Sequence, residues 1–286
     1  MKVSNKCISC GNKNIHKKSA ILMPFIAERI FNWKPFEITS SHNLKTINDG
    51  NAYSIVNSCF CDICNLLYLD MRFDDEEIET LYKNYRGYEY NKLRNYYEPN
   101  YIEMDNYLSK IYSIDNRKKT EDYLSQFIKI PDEILDWGGG DGRNTPFLDS
   151  FGKCLDIFDI SNSNNKNYSN VKFICSLTKK YDLIMSIHVF EHVPYPINLL
   201  NKISSHLNNN GYLYIEVPYE KIMRENKFPI HQKNHWHEHI NFFSPTALRL
   251  LLNNTGFKVI DITTEDISDS FREFYIIRAI AIKNQE

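Results

Sequence analysis

No stretch of this chain has the roughly 18–20 consecutive apolar residues that a membrane-spanning helix requires. Met1 to Lys13 likewise holds no apolar run of the signal-peptide kind. These absences lead us to expect a cytoplasmic protein with no membrane partner. A dominant charge is also missing. Lys and Arg number 34 against 36 Asp and Glu, a net charge of −2, and no basic run exceeds Arg117-Lys118-Lys119. The basic face that nucleic-acid binding demands is therefore not expected. Internal repeats and low-complexity tracts are absent. Glycine is scarce, ten in 286 residues, yet four of the ten fall between Gly138 and Gly142. What remains is an apolar fraction of 42%, enough for a substantial core, and a length suited to one large domain or a large and a small one.

Seven cysteines in a reducing compartment argue for metal or free thiols before disulfides. Cys7-Ile8-Ser9-Cys10-Gly11 and Cys61-Asp62-Ile63-Cys64-Asn65 are two C-x-x-C knuckles. Together they can give four thiolates to a tetrahedral zinc, leaving no open position for substrate, so the expected metal is structural. Gly11 and Asn65 suit the left-handed conformation that closes such a turn. Cys59 has the wrong spacing to Cys61 and is at most an alternate ligand. Coincidental pairs or a redox motif are the competing readings. His16 and His42, isolated between the knuckles, are given no role. Pro24 to Ser58 shows no clear period and reads as short strands with an insertion.

Glu133 to Gly142 reads as a short buried strand through Ile134, Leu135 and Asp136, then a glycine turn, with a helix starting at Asn144-Thr145-Pro146. Such a turn lets backbone approach a nucleotide closely, since glycine has no Cβ in the way. The dinucleotide fingerprint G-x-G-x-x-G fails, because Arg143 holds its third glycine position, and this disfavours an NAD enzyme. Asp159 follows about 20 residues later, where doubly wound folds place an acid for ribose hydroxyls. Strands are expected at Lys153 to Ser161, Tyr181 to Ile187, Gly211 to Pro218, Phe257 to Ile262 and Tyr275 to Ile282. Helices are expected at Asn116 to Ile130, Ile197 to Leu207 and, with a serine cap and a glycine stop, Ser244 to Gly256.

The D-x-G-x-G-x-G run from Asp136 to Gly142 resembles the first motif of class I S-adenosylmethionine (SAM) dependent methyltransferases. Tyr181 to Val193, with its Glu191-His192 turn, and Gly211 to Pro218 resemble the fourth and fifth strands of that family. The resemblance covers roughly residues 115 to 286. It implies an α/β fold, a doubly wound Rossmann-like seven-stranded sheet, carrying a small N-terminal zinc-binding module. It also implies that Asp136, Trp137, Gly138 and Gly140 hold the methionine end of SAM, that Asp159 binds the ribose, and that Ile160 packs on the adenine. Ile187 would lie beside the cofactor. Ser176 stands where many relatives carry an acid for the adenine amino group. Asn241-Phe242-Phe243-Ser244 belongs to a run resembling the family's His-x-x-Phe-Phe-Ser segment near the acceptor. This makes His239 one candidate general base, and His192, at the carboxyl edge of the sheet, the other. His235, His237 and His239 with Glu238 could alternatively bind a metal.

The tyrosine-rich stretch from Leu81 to Tyr101 resembles the linker after a zinc knuckle in some sugar-modifying methyltransferases, where it closes over the cofactor as a lid. The expected organisation is a zinc module at 1–72, a helical linker at 73–115 and a methyltransferase domain at 116–286. The expected reaction is methyl transfer to a small polar acceptor, a hydroxyl of a sugar, nucleotide sugar or surface-polysaccharide precursor. Carbon methylation of a keto-sugar is the runner-up, and a non-catalytic zinc-bearing interaction protein is the reading from another class.

Overall fold

The structure, a computed structural model, describes residues 1–43, 46–111, 114–129, 131–148, 155–161, 168, 170–268 and 273–284, with backbone alone at 107–111 and 114–115. The chain opens with β1 (Lys2–Val3), β2 (His16–Leu22), α1 (Pro24–Phe31), the hairpin of β3 (Phe36–Ile38) and β4 (Gly50–Ala52), then β5 (Ile55–Cys61), β6 (Leu66–Leu69) and β7 (Met71–Arg72). α1 corrects the expectation of short strands after Pro24. Proline sits in its first turn, where its missing N–H is no loss, and Phe25, Ile26 and Ala27 are buried. Eight residues are too few for periodicity to stand out from the sequence.

Four helices follow: α2 (Asp75–Tyr82), α3 (Tyr88–Tyr97), α4 (Tyr101–Ile111) and α5 (Ile114–Ser125). Asp74 accepts from the Glu77 amide at 3.1 Å while Glu77 accepts from the Asp74 amide at 2.9 Å, a reciprocal cap that starts α2 at the acidic run Asp75-Glu76-Glu77. The tyrosines divide. Tyr90 is fully buried, whereas Tyr88 and Tyr96 are exposed, so only part of the aromatic run packs inward.

The main sheet is built from β8 (Ile134–Trp137), β9 (Leu155–Phe158), β10 (Val171–Ile174), β11 (Tyr181–Ile187), β12 (Leu207–Pro218), β15 (Phe257–Asp266) and β16 (Tyr275–Lys283). Among these run α6 (Pro196–Ser205), α7 (Lys221–Glu225), β13 (His235–Trp236), β14 (Asn241–Phe242) and α8 (Pro245–Asn253). Its order is β10-β9-β8-β11-β12-β16-β15, parallel from β10 to β12, with β16 antiparallel to both neighbours. The order reverses between β9 and β11, on either side of β8, which puts the glycine turn at the switch point where open sheets bind ligands. Ser244 caps α8 by accepting from the Ala247 amide, as its sequence indicated. The helix expected from Asn144 is not found there: residues 144–148 make turns, and Phe147 has φ +65°. The stretch 149–154, including the expected strand start at Lys153, lies outside the described residues.

One segment joins the N-terminal part to the rest. β13 pairs in parallel with β2 and β14 pairs antiparallel with β6, so residues 235–242 complete both edges of a five-stranded sheet ordered β13-β2-β5-β6-β14. Edge strands are thereby paired instead of exposed. The knuckle cysteines Cys7, Cys61 and Cys64 share one core cluster with Leu200 of α6 and Leu248 of α8. Arg72, 1% exposed, binds this junction from within. It donates to Leu69 O at 2.5 Å, Met71 O at 3.1 Å, Pro194 O at 3.2 Å, Ile240 O at 3.2 Å and Asn241 Oδ1 at 2.8 Å. Burial pulls its pKa down to about 10, so the guanidinium stays charged at neutral pH. Arg72→Met keeps the apolar stem and strips every donor, leaving buried carbonyls short of partners. We expect a loss of about 3 kcal/mol or more in urea unfolding; a loss under about 1 kcal/mol would contradict the role given to Arg72.

Candidate active site

β8 delivers Asp136 to the carboxyl edge of the sheet, and the chain then turns through Gly138, Gly140 and Gly142 at φ +84°, +57° and +83°. Side chains are excluded here by contact as well as by backbone conformation. A Cβ on Gly138 would lie 2.4 Å from Val189 Cγ2, and one on Gly139 would lie 2.5 Å from Asp136 Oδ2. The turn forms one wall of a cavity of about 740 Å³ whose floor includes Asp136, Ile187, His188 and Glu216. Tyr85, Arg86 and Gly87 of the linker also line it.

Asp136 is 3% exposed. Thr145 Oγ1 donates to its Oδ2 at 2.5 Å, while Oδ1 has no hydrogen-bond partner. Burial, reinforced by the nearby Asp159 carboxylate, pushes the Asp136 pKa up to about 7. Asp159, beyond β9, accepts from the Gly140 amide at 2.8 Å and the Ser161 amide at 2.7 Å, which fixes it against the outer side of the glycine turn. These features fit a bound SAM: a cradle that a Cβ would fill, a buried carboxylate oxygen lacking a donor, and an acid at the end of the second strand. Asp136, Gly138, Gly140 and Ile187 meet at the cavity, with Asp159 adjoining through Gly140. The structure does not bring the remaining three expected cofactor residues to the wall. Trp137 turns into the core, its ring 5.2 Å from Phe158. Ile160 is 51% exposed, and Ser176 is exposed beyond β10.

His192 and His239 lie side by side, ring centroids 4.8 Å apart at 77°. They are brought together because the amides of Ile240 and Asn241 both donate to Glu191 O, at 2.8 and 3.0 Å, stapling the His239 segment to the Glu191-His192 turn. His192 Nδ1 lies 2.9 Å from Tyr82 Oη and 3.0 Å from Glu238 O, and burial lowers its pKa. Burial opposes charge on His239 too, but the hydrogen bond between its Nδ1 and Glu220 Oε1 at 2.8 Å, together with the Glu191 charge, raises its pKa overall. The two imidazoles are thus pushed in opposite directions. Neither lines the large cavity; His188 stands between, with Nε2 3.3 Å from Glu216 Oε1 and Nδ1 3.5 Å from Glu191 Oε1. Sequence reasoning missed His188, Glu216 and Arg278, which lies 3.2 Å from Glu216. A histidine directly after β11, and an acid inside the otherwise uncharged β12 run Leu213-Tyr214-Ile215-Glu216-Val217, were the available signals.

His235, His237 and His239 do not converge on a metal. His235 is exposed on β13, His237 pairs with Glu98 and stacks on Phe25 at 5.9 Å, and His239 turns to Glu220. Glu238, 7% exposed, instead receives hydrogen bonds from Arg94 Nη1 at 2.6 Å and from Tyr90. Burial would raise its pKa, yet the Arg94 charge outweighs that and brings it to about 2.

Away from the cavity, the thiols of Cys7, Cys10, Cys61 and Cys64 lie within 4.8 Å of one another, with Cys7–Cys64 at 3.5 Å and Cys10–Cys61 at 3.6 Å. Four sulfurs about 2.3 Å from a zinc ion stand about 3.8 Å apart, so this set fits that ion. The two knuckles fold alike: Gly11 N donates to Cys7 O and Asn65 N to Cys61 O, at φ +74° and +56°. Cys59 is buried outside the group.

The sequence matches the methyltransferase domain family over residues 110–262, more than half of the chain. It is 31% identical over 86 residues to the C-methyltransferase NovU of Streptomyces niveus, a match covering 30% of this chain and only 20% of that protein. Among solved structures it is similar to the 1,6-didemethyltoxoflavin-N1-methyltransferase of Burkholderia thailandensis, at 15% identity and TM-score 0.51, over 80% of this chain and 96% of that one. A strand order with an antiparallel β16, a glycine turn at the switch point and the family match together show that this chain belongs to the class I SAM-dependent methyltransferases.

Proposed function

We propose that the protein transfers the methyl group of SAM to a hydroxyl of a small polar acceptor, a sugar, nucleotide sugar or surface-polysaccharide precursor, and that a histidine of the His192–His239 pair takes the acceptor proton. The observation that carries this reading is the pair itself: two imidazoles at the carboxyl edge of the sheet, pushed apart in pKa, reached from the glycine-turn cavity past His188. SAM supplies an electrophilic methyl group, leaving the protein to align the acceptor, exclude water and accept a proton. In this reading Asp136, Gly138, Gly140 and Ile187 hold the cofactor, Asp159 takes its ribose, and Tyr85 to Gly87 make residues 73–115 a lid. Trp137, Ile160 and Ser176, which do not line the cavity, take no part in this assignment. The acceptor needs no nucleic acid or membrane, consistent with a cytoplasmic enzyme. Among the described residues no helix is long and apolar enough to cross a membrane.

A second reading, carbon methylation next to a keto-sugar carbonyl, is favoured by the match to a C-methyltransferase. Carbon acids that form enolates exchange that hydrogen with solvent. Deuterium uptake into a keto-sugar with S-adenosylhomocysteine in place of SAM would establish this reading, and methyl ether products without exchange would establish the first.

The Cys7, Cys10, Cys61 and Cys64 group we assign to a structural zinc within residues 1–72. Elemental analysis should give about one tightly held zinc per chain. Metal-free protein with an unchanged melting temperature would exclude it.

Calorimetric titration with S-adenosylhomocysteine tests the cofactor assignment. Asp159→Ala should abolish binding with circular dichroism unaltered; unchanged affinity would refute it. An ammonium beside Asp136 favours its carboxylate over the protonated form that burial promotes. Affinity should therefore rise between about pH 6 and about pH 8 and then level off. His239→Ala or His192→Ala, whichever removes the base, should lower kcat by ~10²–10⁴-fold. Full activity in both variants would sink the histidine assignment.

A further inference from the structure

The turn after β11 buries a carboxylate that no hydrogen bond accounts for. Glu191 is 2% exposed; its Oε2 has no hydrogen-bond partner and its Oε1 meets only imidazole nitrogens, none nearer than 3.5 Å. A carboxylate taken out of water without a partner is costly, and an unexplained one marks the place of an absent group. Its nearest polar neighbours are imidazoles, His188 Nδ1 at 3.5 Å and His192 Nε2 at 3.8 Å. His188 bridges two acids, Nε2 toward Glu216 and Nδ1 toward Glu191 Oε1, and leaves Glu191 Oε2 unmet. His192 and His239 remain, and one donor atom from each lies with Glu191 inside a 4.8 Å sphere of mutual distance.

Hydrogen bonding sets which nitrogen each ring offers. His192 Nδ1 is 3.0 Å from the carbonyl oxygen of Glu238, which can only accept, so Nδ1 carries the proton. His239 Nδ1 is 2.8 Å from the Glu220 carboxylate and is protonated for the same reason. His192, kept neutral by burial, therefore presents a lone pair at Nε2, and His239 presents one there once a cation displaces its second proton. The Nε2 of His192 faces Glu191 Oε1 with no proton between them, an arrangement that calls for a cation. An imidazole whose far nitrogen donates to a carbonyl or carboxylate is also the form in which histidine ordinarily ligates metal.

We propose that Glu191, His192 and His239 bind one divalent transition-metal cation, separate from the thiolate site, and that this cation competes with the acceptor for the histidine pair. Two imidazoles and one carboxylate suit zinc or cobalt, whereas calcium and magnesium take oxygen donors. The donor atoms must draw in by up to about 1.5 Å to reach tetrahedral spacing, an adjustment within the reach of side-chain rotation. The competition rests on the histidine-base reading, while the binding of metal does not.

The test is optical. Zinc-loaded protein is titrated with cobalt(II), which reports nitrogen and oxygen ligands by visible d–d bands and thiolates by strong near-ultraviolet charge transfer. We expect one further equivalent of cobalt with d–d bands and no new charge transfer. Glu191→Gln and His239→Gln should abolish these bands, and His239 is exposed enough for the second variant to fold whatever the first does. Glu220→Gln, which loosens the orientation of His239, should weaken binding by ~10–100-fold. No d–d bands at millimolar cobalt, or equal binding by both glutamine variants, would overturn the site. Added zinc should inhibit methyl transfer competitively with the acceptor. Cobalt bands with turnover insensitive to zinc would overturn the competition alone, and active histidine variants would sink the base reading while leaving the cobalt result standing.

Discussion

The candidate site depends on a staple of backbone and side-chain hydrogen bonds between two turns that are far apart in sequence. Glu191 O accepts from the amides of Ile240 and Asn241, and Asn241 Nδ2 donates to Phe190 O and Val193 O at 2.8 and 2.7 Å. Arg72 closes the arrangement from the N-terminal part, reaching Pro194 on one turn and Ile240 and Asn241 on the other. Without this staple, His192 would sit at the sheet edge and His239 in a separate connection. Since residues 235–242 also complete both edges of the N-terminal sheet, the small module and the main sheet are one packed unit, and the cysteine knuckles sit on the same core as α6 and α8.

Buried acids around this seam are satisfied in different ways. Glu238 is matched by Arg94 and Tyr90 and stays ionised down to low pH. Glu216 is matched by Arg278, His188 and Tyr214, and burial, which would raise its pKa, is outweighed so that the pKa falls. Asp136 has one neutral donor and is driven the other way. Glu191 has none. Among the described residues, Glu216 and Glu238 are paired within the chain, while Asp136 and Glu191, which lack full pairing, lie where a cofactor and, in our proposal, a cation would complete them.

Much of the fold was legible because it rests on local rules. The serine cap and glycine stop of α8, the acidic first turn of α2 and the positive-φ residues closing each cysteine knuckle follow from what a few adjacent residues can do with their own backbone. α1 was illegible because an eight-residue helix offers too short a window, and the residues after the glycine turn make further turns instead of a helix. His188 and Glu216 escaped notice because a lone polar residue in an apolar run means little until its neighbours in space are known.

The sequence by itself determined the family, six of the main sheet's seven strands and the identity of the four thiols, since each is written in short contiguous motifs whose backbone demands only glycine, cysteine or an alternating apolar run can meet; the short edge strand β10 was not among them. Tertiary structure alone decided which histidines became neighbours, that the 235–242 segment belongs to two sheets at once, and that Trp137 faces the core instead of the cavity. Those outcomes depend on pairing between residues separated by tens to hundreds of positions, a cost in chain entropy that only the assembled core repays, and no local pattern encodes it.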